Sequence, residues 1–398
     1  MLIDVTRLIH RSLQGKLQTG VDRVSEAYVK HYAHQADAVV RVRGLWVQLG
    51  KGDSQLVFEA IIDRSPGFVR RLAWCVGRGV VLLSGSRSRR QLLINTGHSG
   101  LDHPQYSREL RRRHLTALYF LHDLIPITHP EYARPGEGQR HRLRLQTMFD
   151  TGEALVVNSC ATRTALQSYA QANGLHQPHC VVAPIAPTRL PAPSSRAPLT
   201  QPYFVMLGTI EPRKNHALLL QLWRALVEEL GATAPRLVVI GQRGWECEHV
   251  VDLLERCPGL RHFVVEEPSC NDQALATWLH HAVALLFPSF AEGFGIPVLE
   301  ALSLGVPVIA SNLAVFQETV SDIPEYIDPL DGPGWRRAIL DYMQTSSARR
   351  RLQLERMARY SPPTWTEHFA VVDVLLRPWL RKSGQLQPQA ESGNAQPY

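Results

Sequence analysis

Residues 283–311 read VALLFPSFAEGFGIPVLEALSLGVPVIAS. The apolar run Val283–Phe287 stops at a proline and opens into a loop that carries two glycines. Pro297 is placed to start a helix, Gly305 can end it, and a second apolar run follows at Val306–Ala310. Strands that are nearly continuous apolar runs are expected where helices cover both faces of a sheet. The stretch therefore reads as strand, glycine loop, helix, strand, which is one unit of a parallel α/β sheet.

The same alternation extends outward on both sides. Tyr203–Gly208, Arg236–Gly241 and His262–Val265 read as further strands, with amphipathic stretches at Asn215–Leu230 and Asn271–His281 between them. This half of the chain is expected to be a doubly wound sheet. The first half has the same grammar in looser form. Leu2–Val5, Val39–Val42, Leu92–Asn95, Leu118–His122, Ala154–Asn158 and Cys180–Ala183 read as strands, and Val21–Tyr32, Gln139–Phe149 and Ala161–Gln171 as helices. The proline-rich stretch Ala183–Pro202 suits neither helix nor central strand and reads as a linker. The expected organisation is an N-terminal domain over 1–185, a linker over 186–202 and a second domain over 203–360. A helix over 361–381 is expected to pack back on the first domain, ahead of a disordered tail over 382–398.

A chain of 398 residues with 44% hydrophobic and 20% charged residues suits two soluble globular domains. No apolar run approaches the ~20 residues that span a bilayer, and the first residues, MLIDVTRLIHR, do not read as a signal peptide. A cytoplasmic location is expected, with contact to the inner face of the membrane as an option. The six cysteines show no paired spacing that would suggest a disulfide frame or a zinc site. Residues 1–200 hold 26 Lys+Arg against 14 Asp+Glu, a balance of +12, which leaves 17 against 22, or −5, for the rest. Basic clusters at Arg87–Arg90 and Arg111–His114, with the apolar and cationic stretch Phe68–Val81, could meet an anionic membrane surface or acceptor. No pattern of a nucleic-acid module accompanies them, so nucleic acid is not an expected partner.

Two constellations in the second half carry chemistry. After the strand Tyr203–Gly208 come Thr209, Ile210, Glu211, Pro212, Arg213, Lys214 and Asn215, then a helix. A glycine at a strand end admits close backbone approach, and two permanent cations beside a helix start can cradle a diphosphate. In the glycine loop, Glu292 precedes Gly293, Phe294 and Gly295, and Glu300 lies eight residues after it on the helix. Both carboxylates fall at the C-terminal edge of the sheet, where ligands of such folds bind.

The order LGTIEPRKN, PSFAEGFGIPVLEAL, GVPVIAS resembles the donor domain of glycosyltransferase family 4, a retaining group with the GT-B fold of two Rossmann-like domains facing across a cleft. Overall it is similar to O-antigen and exopolysaccharide mannosyltransferases. The resemblance implies roles residue by residue. Arg213 and Lys214 would neutralise the diphosphate leaving group, Glu292 would contact the donor sugar, and Glu300 would bind the ribose hydroxyls. Gly208, Thr209 and the backbone of Gly293, Phe294, Gly295 and Ile296 would complete the donor site. The chain departs from the family at Val265–Cys270, where a glycine usually precedes the polar turn that borders the base.

In the first half, Thr19 and Gly20 open a helix in a turn that, by resemblance, faces the cleft near the diphosphate. Asp22 stands where relatives often have a second glycine. His122 and Asp123 follow a buried strand. By the same resemblance His122 would reach the donor sugar and Asp123 would orient it or the acceptor. A structural reading stands beside this one, in which the pair caps the turn before Pro126. The remaining histidines are read as surface or core residues. No Asp-x-Asp motif is present, so no metal or other cofactor is expected beyond the nucleotide-sugar substrate. The implied activity is retaining, metal-independent transfer of a hexose, with mannose from GDP-mannose the first choice, to a glycan or lipid-diphosphate-linked acceptor. Two rival functions stand beside this one: a non-catalytic nucleotide-sugar-binding subunit of a polysaccharide assembly complex, and a nucleotide-sugar epimerase of the same fold, which would need a different carboxylate and histidine set and lacks this arginine–lysine loop.

Overall fold

The computed structural model describes residues 1–15, 18–42, 45–63, 72, 74–75, 77–78 and 91–382. The cluster Arg87–Arg90, most of Phe68–Val81 and the tail 383–398 lie outside them. Two sheets organise the chain. The first has the order β3-β2-β1-β4-β5-β6-β7, formed by Leu2–Asp4 (β1), Asp37–Val42 (β2), Leu45–Gln48 (β3), Gln91–Asn95 (β4), Leu115–Leu121 (β5), Gly152–Val157 (β6) and His179–Val182 (β7). The second has the order β10-β9-β8-β11-β12-β13, formed by Tyr203–Leu207 (β8), Arg236–Ile240 (β9), Val264–Glu267 (β10), Leu285–Phe287 (β11), Val308–Ser311 (β12) and Glu325–Ile327 (β13).

All pairings in the second sheet are parallel. Its strands show why their sequences are continuously apolar. Phe204 and Met206 enter one core cluster, while Tyr203 and Val205 on the same strand enter the cluster on the opposite face. Leu237 and Val239 alternate with Val238 and Ile240 in the same way. Helices therefore bury both faces of β8 and β9, and the interior positions of these two strands are apolar.

Several details differ from the sequence reading, and the edge strand β13 has no counterpart in it. The edge strand β3 runs antiparallel to β2, so the first sheet is not wholly parallel. At four residues β3 is too short to carry a pattern of its own. Strand β12 begins at Val308 rather than Val306, because the Val306 N–H still closes the preceding helix onto Ala301 and Pro307 has no N–H for the ladder. Strand β10 runs Val264–Glu267, later than His262–Val265. It is a sheet edge whose half-buried residues tolerate two glutamates.

The chain from 183 to 202 has no helix or strand. The last helix, Trp365–Lys382, lies against the N-terminal domain. His368 is fully buried, with Nδ1 against the Ala183 carbonyl at 3.1 Å and Nε2 against the Tyr28 hydroxyl at 3.0 Å. Phe369 packs on Tyr28 and stacks on His31. Other contacts link the two halves directly. Glu318 caps the N-terminus of helix Cys160–Ala172 by accepting from the N–H groups of Cys160 and Ala161, and Tyr132 stacks on Phe290 at 5.4 Å.

Six cysteines are free thiols. Among the described residues no helix is long and apolar enough to cross a membrane. In the basic cluster Arg111–His114, Arg112 and Arg113 both pair with Glu109, at 2.6 and 2.5 Å, so it presents less free charge than its sequence implies.

Candidate active site

In an open parallel sheet a crevice forms where successive crossovers leave in opposite directions, outside the carboxyl ends of the strands. In the second sheet that point lies between β8 and β11, which are neighbours although β9 and β10 intervene in sequence. The loop after β8 carries Gly208 to Lys214, and the loop after β11 carries Pro288 to Gly295. The topology thus brings the two constellations into one crevice, and Phe290 N–H donates to the Arg213 carbonyl at 2.8 Å.

Glycine is required at the crevice floor. Gly208 has φ +146°, and a Cβ there would press on the Lys214 side chain at 3.2 Å. Gly241, at the end of β9, has φ +153°, and a Cβ would collide with the Gly208 carbonyl. Gly295 at φ +87° is the N-cap of helix Ile296–Ser303, and its Cβ would collide with Phe316. Gly295→Ala combines a left-handed penalty of ~1–2 kcal/mol with overpacking of ~1–3 kcal/mol. It is expected to lower stability by roughly 2–5 kcal/mol, read from a chemical denaturation midpoint with unchanged slope. Retained wild-type stability would mean that Phe316 yields freely.

The charged cluster is compact. Lys214 Nζ lies 2.5 Å from Glu292 Oε1, Arg213 Nη1 lies 2.8 Å from Glu292 Oε2, and Arg213 Nε lies 2.6 Å from Glu211 Oε1. Arg213 Nη1 also donates to the Ala291 carbonyl at 3.0 Å, and the Lys214 ammonium sits 4.5 Å from the centre of the Phe287 ring. Burial alone would raise the Glu292 carboxyl, but Arg213 and Lys214 outweigh it and hold the group at about 2. Burial lowers Lys214, while for Arg213 the two glutamates outweigh burial and raise it. Burial also raises Glu211 against the pull of both cations. Two cations face two carboxylates, so Glu292 occupies donors that an anionic ligand would otherwise take.

Glu300 is the fifth residue of helix Ile296–Ser303 and is 4% exposed. Burial raises its carboxyl, against the Arg23 charge and hydrogen bonds from Thr188. Arg23 in turn reaches Thr188 Oγ1 at 2.6 Å and Asp272 at 2.8 Å, which ties the linker and both domains together beside this carboxylate. Phe294 is a buried core side chain, so only its backbone can meet a ligand, whereas Thr209 and Ile296 are half-buried at the rim.

Across the cleft, Thr19 caps helix Gly20–Tyr32 in a reciprocal box with Asp22, and Gly20 approaches the Ile296 side chain. Asp22 is nearly fully buried, accepts from Arg7 at 2.8 Å and pairs with Arg11 at 2.7 Å. Its carboxylate is therefore a structural anion that draws two arginines to the cleft. His122 is buried, with Nε2 donating to the Thr96 carbonyl at 2.8 Å, and burial pushes it down to about 4. Asp123 Oδ1 accepts from the Ile125 N–H at 3.0 Å, which caps the turn before Pro126. The Asp123 side chain also faces Gly293, where a Cβ would sit 3.0 Å from both the Asp123 Cβ and the His122 carbonyl. Glu292, Arg213, Lys214, Gly293 and Asp123 thus converge, while Glu300 and Thr19–Gly20 lie along the same cleft near Ile296.

Sequence reasoning missed Glu211, Gly241, Thr188, Arg23 and two histidines. Gly241 carried a signal, since it ends a strand and is followed by Gln242, Arg243 and Gly244. Arg23 and Thr188 carried none, because only the meeting of the domains joins them. His98 and His141 were read as ordinary surface or core residues. They line the same N-terminal cavity as His122.

The two facing Rossmann-like sheets form a GT-B architecture. It is shared with sucrose-phosphate synthase from Thermosynechococcus elongatus, at TM-score 0.64 and 15% identity over 96% of this chain and 99% of that one. It is shared also with Anabaena Alr3699/HepE, solved in complex with UDP-glucose, at TM-score 0.66 and 15% identity over 94% and 99%. Residues 192–345 match the family model for glycosyl transferases group 1, so the C-terminal domain is a domain of that family. Over 166 residues, or 42% of this chain and 43% of the relative, the sequence is 36% identical to the O-antigen chain mannosyltransferase B of Escherichia coli. The chain spans less than half the length of the first curated relatives it matches.

Proposed function

We propose that this protein is a retaining, metal-independent glycosyltransferase that moves a hexose from a nucleotide sugar to a glycan or lipid-linked saccharide in surface polysaccharide assembly. Mannose from GDP-mannose is the proposed donor, in keeping with the relative named a mannosyltransferase. The carrying observation is the Arg213–Lys214–Glu292 cluster at the crossover of the donor-side sheet, opposite His122 and Asp123.

The chemistry follows from that cluster. A donor diphosphate competes with Glu292 for Arg213 and Lys214, and the released carboxylate is then free to accept from hydroxyls of the donor sugar. As the glycosidic bond breaks, positive charge develops on the sugar ring and negative charge on the departing phosphate oxygen. Arg213 and Lys214 stabilise that oxygen from fixed positions in a water-poor site. The acceptor hydroxyl attacks on the face the phosphate leaves, and its proton passes to a phosphate oxygen. His122, held neutral by burial, offers Nδ1 to a sugar hydroxyl rather than a second positive charge. Glu300 accepts from the ribose once the Thr188 contact opens.

A thermal-shift panel of GDP-mannose, UDP-glucose, UDP-GlcNAc and dTDP-rhamnose, each with and without EDTA, tests this reading. A ligand at about 100 times its dissociation constant should add ~2.7 kcal/mol of stability. One responder indifferent to EDTA is the expected result, with GDP-mannose first. No response from any of them would overturn the transferase reading, and binding without turnover would favour a non-catalytic subunit.

A further inference from the structure

Two ring contacts cross the cleft from one short segment of the N-terminal domain, residues 129–134. The Tyr132 ring stacks on Phe290, with centres 5.4 Å apart and planes 7° from parallel. The Arg134 guanidinium lies over the Trp245 ring, 4.9 Å from its centre. The segment is stiff where it crosses. Pro130 and Pro135 fix φ near its two ends, and the N–H groups of Tyr132 and Ala133 donate to the His129 and Pro130 carbonyls at 3.1 Å each. The His129 ring also lies 16° from parallel to Tyr132, at 6.0 Å. Only the short helix Ile125–Thr128 separates the segment from the turn at Asp123.

Both contacts lead to the loop that carries the cations. Phe290 N–H donates to the Arg213 carbonyl at 2.8 Å, and the carbonyl of the next residue, Ala291, accepts from Arg213 Nη1 at 3.0 Å. Phe290 and Ala291 thus grip Arg213 by its main chain and its guanidinium, immediately before Glu292. Trp245 follows Gly244, whose N–H donates to the Ile210 carbonyl at 3.0 Å, while Ile210 N–H donates to the Gln242 carbonyl at 2.9 Å. There is no slack in this second link, since a Cβ on Gly244 would sit 2.7 Å from the Ile210 carbonyl oxygen. Ile210 and Arg213 belong to one loop, so the N-terminal domain braces that loop at two points. Tyr132 and Phe290 are half-buried and Arg134 is exposed, so these contacts can part without unfolding either domain.

We propose that Tyr132 is a positioning residue, which acts through Phe290 to fix the Arg213 guanidinium for the departing phosphate, with Arg134 on Trp245 as the second brace. The role of Arg213 here rests on the transferase reading, whereas the coupling rests on the contacts alone. A guanidinium stabilises a developing oxyanion to the extent that it is held in place beforehand. Separation of the domains removes the ring contact and frees the Phe290–Ala291 grip. The cation is then fully fixed only while the cleft is shut, and that restricts bond breaking to the state from which water is excluded. A contact that merely joined the domains would add stability and leave Arg213 indifferent to it.

The test compares variants of the full chain by amide hydrogen exchange without ligand, and by donor binding, transfer and donor hydrolysis with GDP-mannose. Tyr132→Ala is expected to speed exchange at the Phe290 amide about three- to tenfold, the worth of one offset ring pair. It should lower kcat about tenfold but weaken donor binding less than about threefold, because the interaction lost is one made chiefly in the transition state. The share of donor passed to water rather than acceptor should rise. Tyr132→Phe keeps the ring without the hydroxyl and should restore all of these. If Tyr132→Ala melts early, Arg134→Ala carries the same test, read at the Gly244 amide. Unchanged exchange at Phe290 in folded Tyr132→Ala would overturn the proposal, as would an equal loss of kcat in Tyr132→Phe, or a loss of donor affinity that accounts for the whole loss of rate. Faster exchange at Phe290 in a protein that binds no nucleotide sugar would keep the coupling and remove the transferase reading.

Discussion

Arg213→Ala is expected to lower kcat for sugar transfer by about 10²–10³, the loss seen when one fixed donor to a developing oxyanion is removed. Arg213 is the member of the cluster that can meet a diphosphate bidentately, since Lys214 offers a single compact charge. In the ligand-free protein its guanidinium bridges Glu211 and Glu292, so its removal also leaves two buried carboxylates facing Lys214 alone. Glu211 should then become still harder to ionise. For that reason the folded fraction should be measured alongside kcat. Arg213→Lys retains the charge without the fork and is expected to recover only part of the rate. Full activity in Arg213→Ala, in a folded protein that binds donor normally, would remove Arg213 from the mechanism.

Acid is expected to unfold this protein between about pH 6.5 and pH 4, before most carboxylates titrate. His122 and His368 are pushed down by burial to about 4, and His216 by burial and the Lys214 charge to about 3. In the unfolded chain each would titrate near 6.5. Below that pH the unfolded state binds protons that the folded state refuses, so stability falls with each step down until the folded value is reached. Each such histidine removes ~1.4 kcal/mol per pH unit, and three together ~4 kcal/mol per unit, against a typical stability of 5–15 kcal/mol. Glu292, held at about 2, adds a further loss only below the ordinary carboxylate range. Glu211 and Glu300, both raised, act in the opposite direction and soften the slope. His216 is the cleanest probe, because it is 2% exposed and neither ring nitrogen has a partner. His216→Asn should flatten the dependence of melting temperature on pH in this window. An unaltered slope would mean that His216 is protonated in the folded state.

The second sheet was legible because of its depth. Both faces of β8, β9 and β11 are buried, so each strand writes itself as an unbroken apolar run, and the glycines between them mark strand ends. Arg213, Lys214, Glu292 and Glu300 were legible because two short local motifs carry them. The antiparallel edge strand β3 escaped notice, as did the start of β12, where a proline rather than hydrophobicity sets the boundary.

What the sequence by itself determined is most of the alternation of strands and helices and the local motifs at strand ends, and it is the resemblance of those motifs that implied the GT-B class. Those depend on periodicity and on residues within a few positions of one another. Tertiary structure alone decided which groups meet. Asp22 became a buried anchor for Arg7 and Arg11, Glu292 a bridge to both cations, and Thr188 of the linker a partner of Arg23 beside Glu300. His98, His122 and His141 became one neutral set because three backbone carbonyls hold their Nε2 protons and burial refuses them a charge. Such a set has no local signature, since desolvation and hydrogen-bond direction exist only once the chain has closed around the cavity.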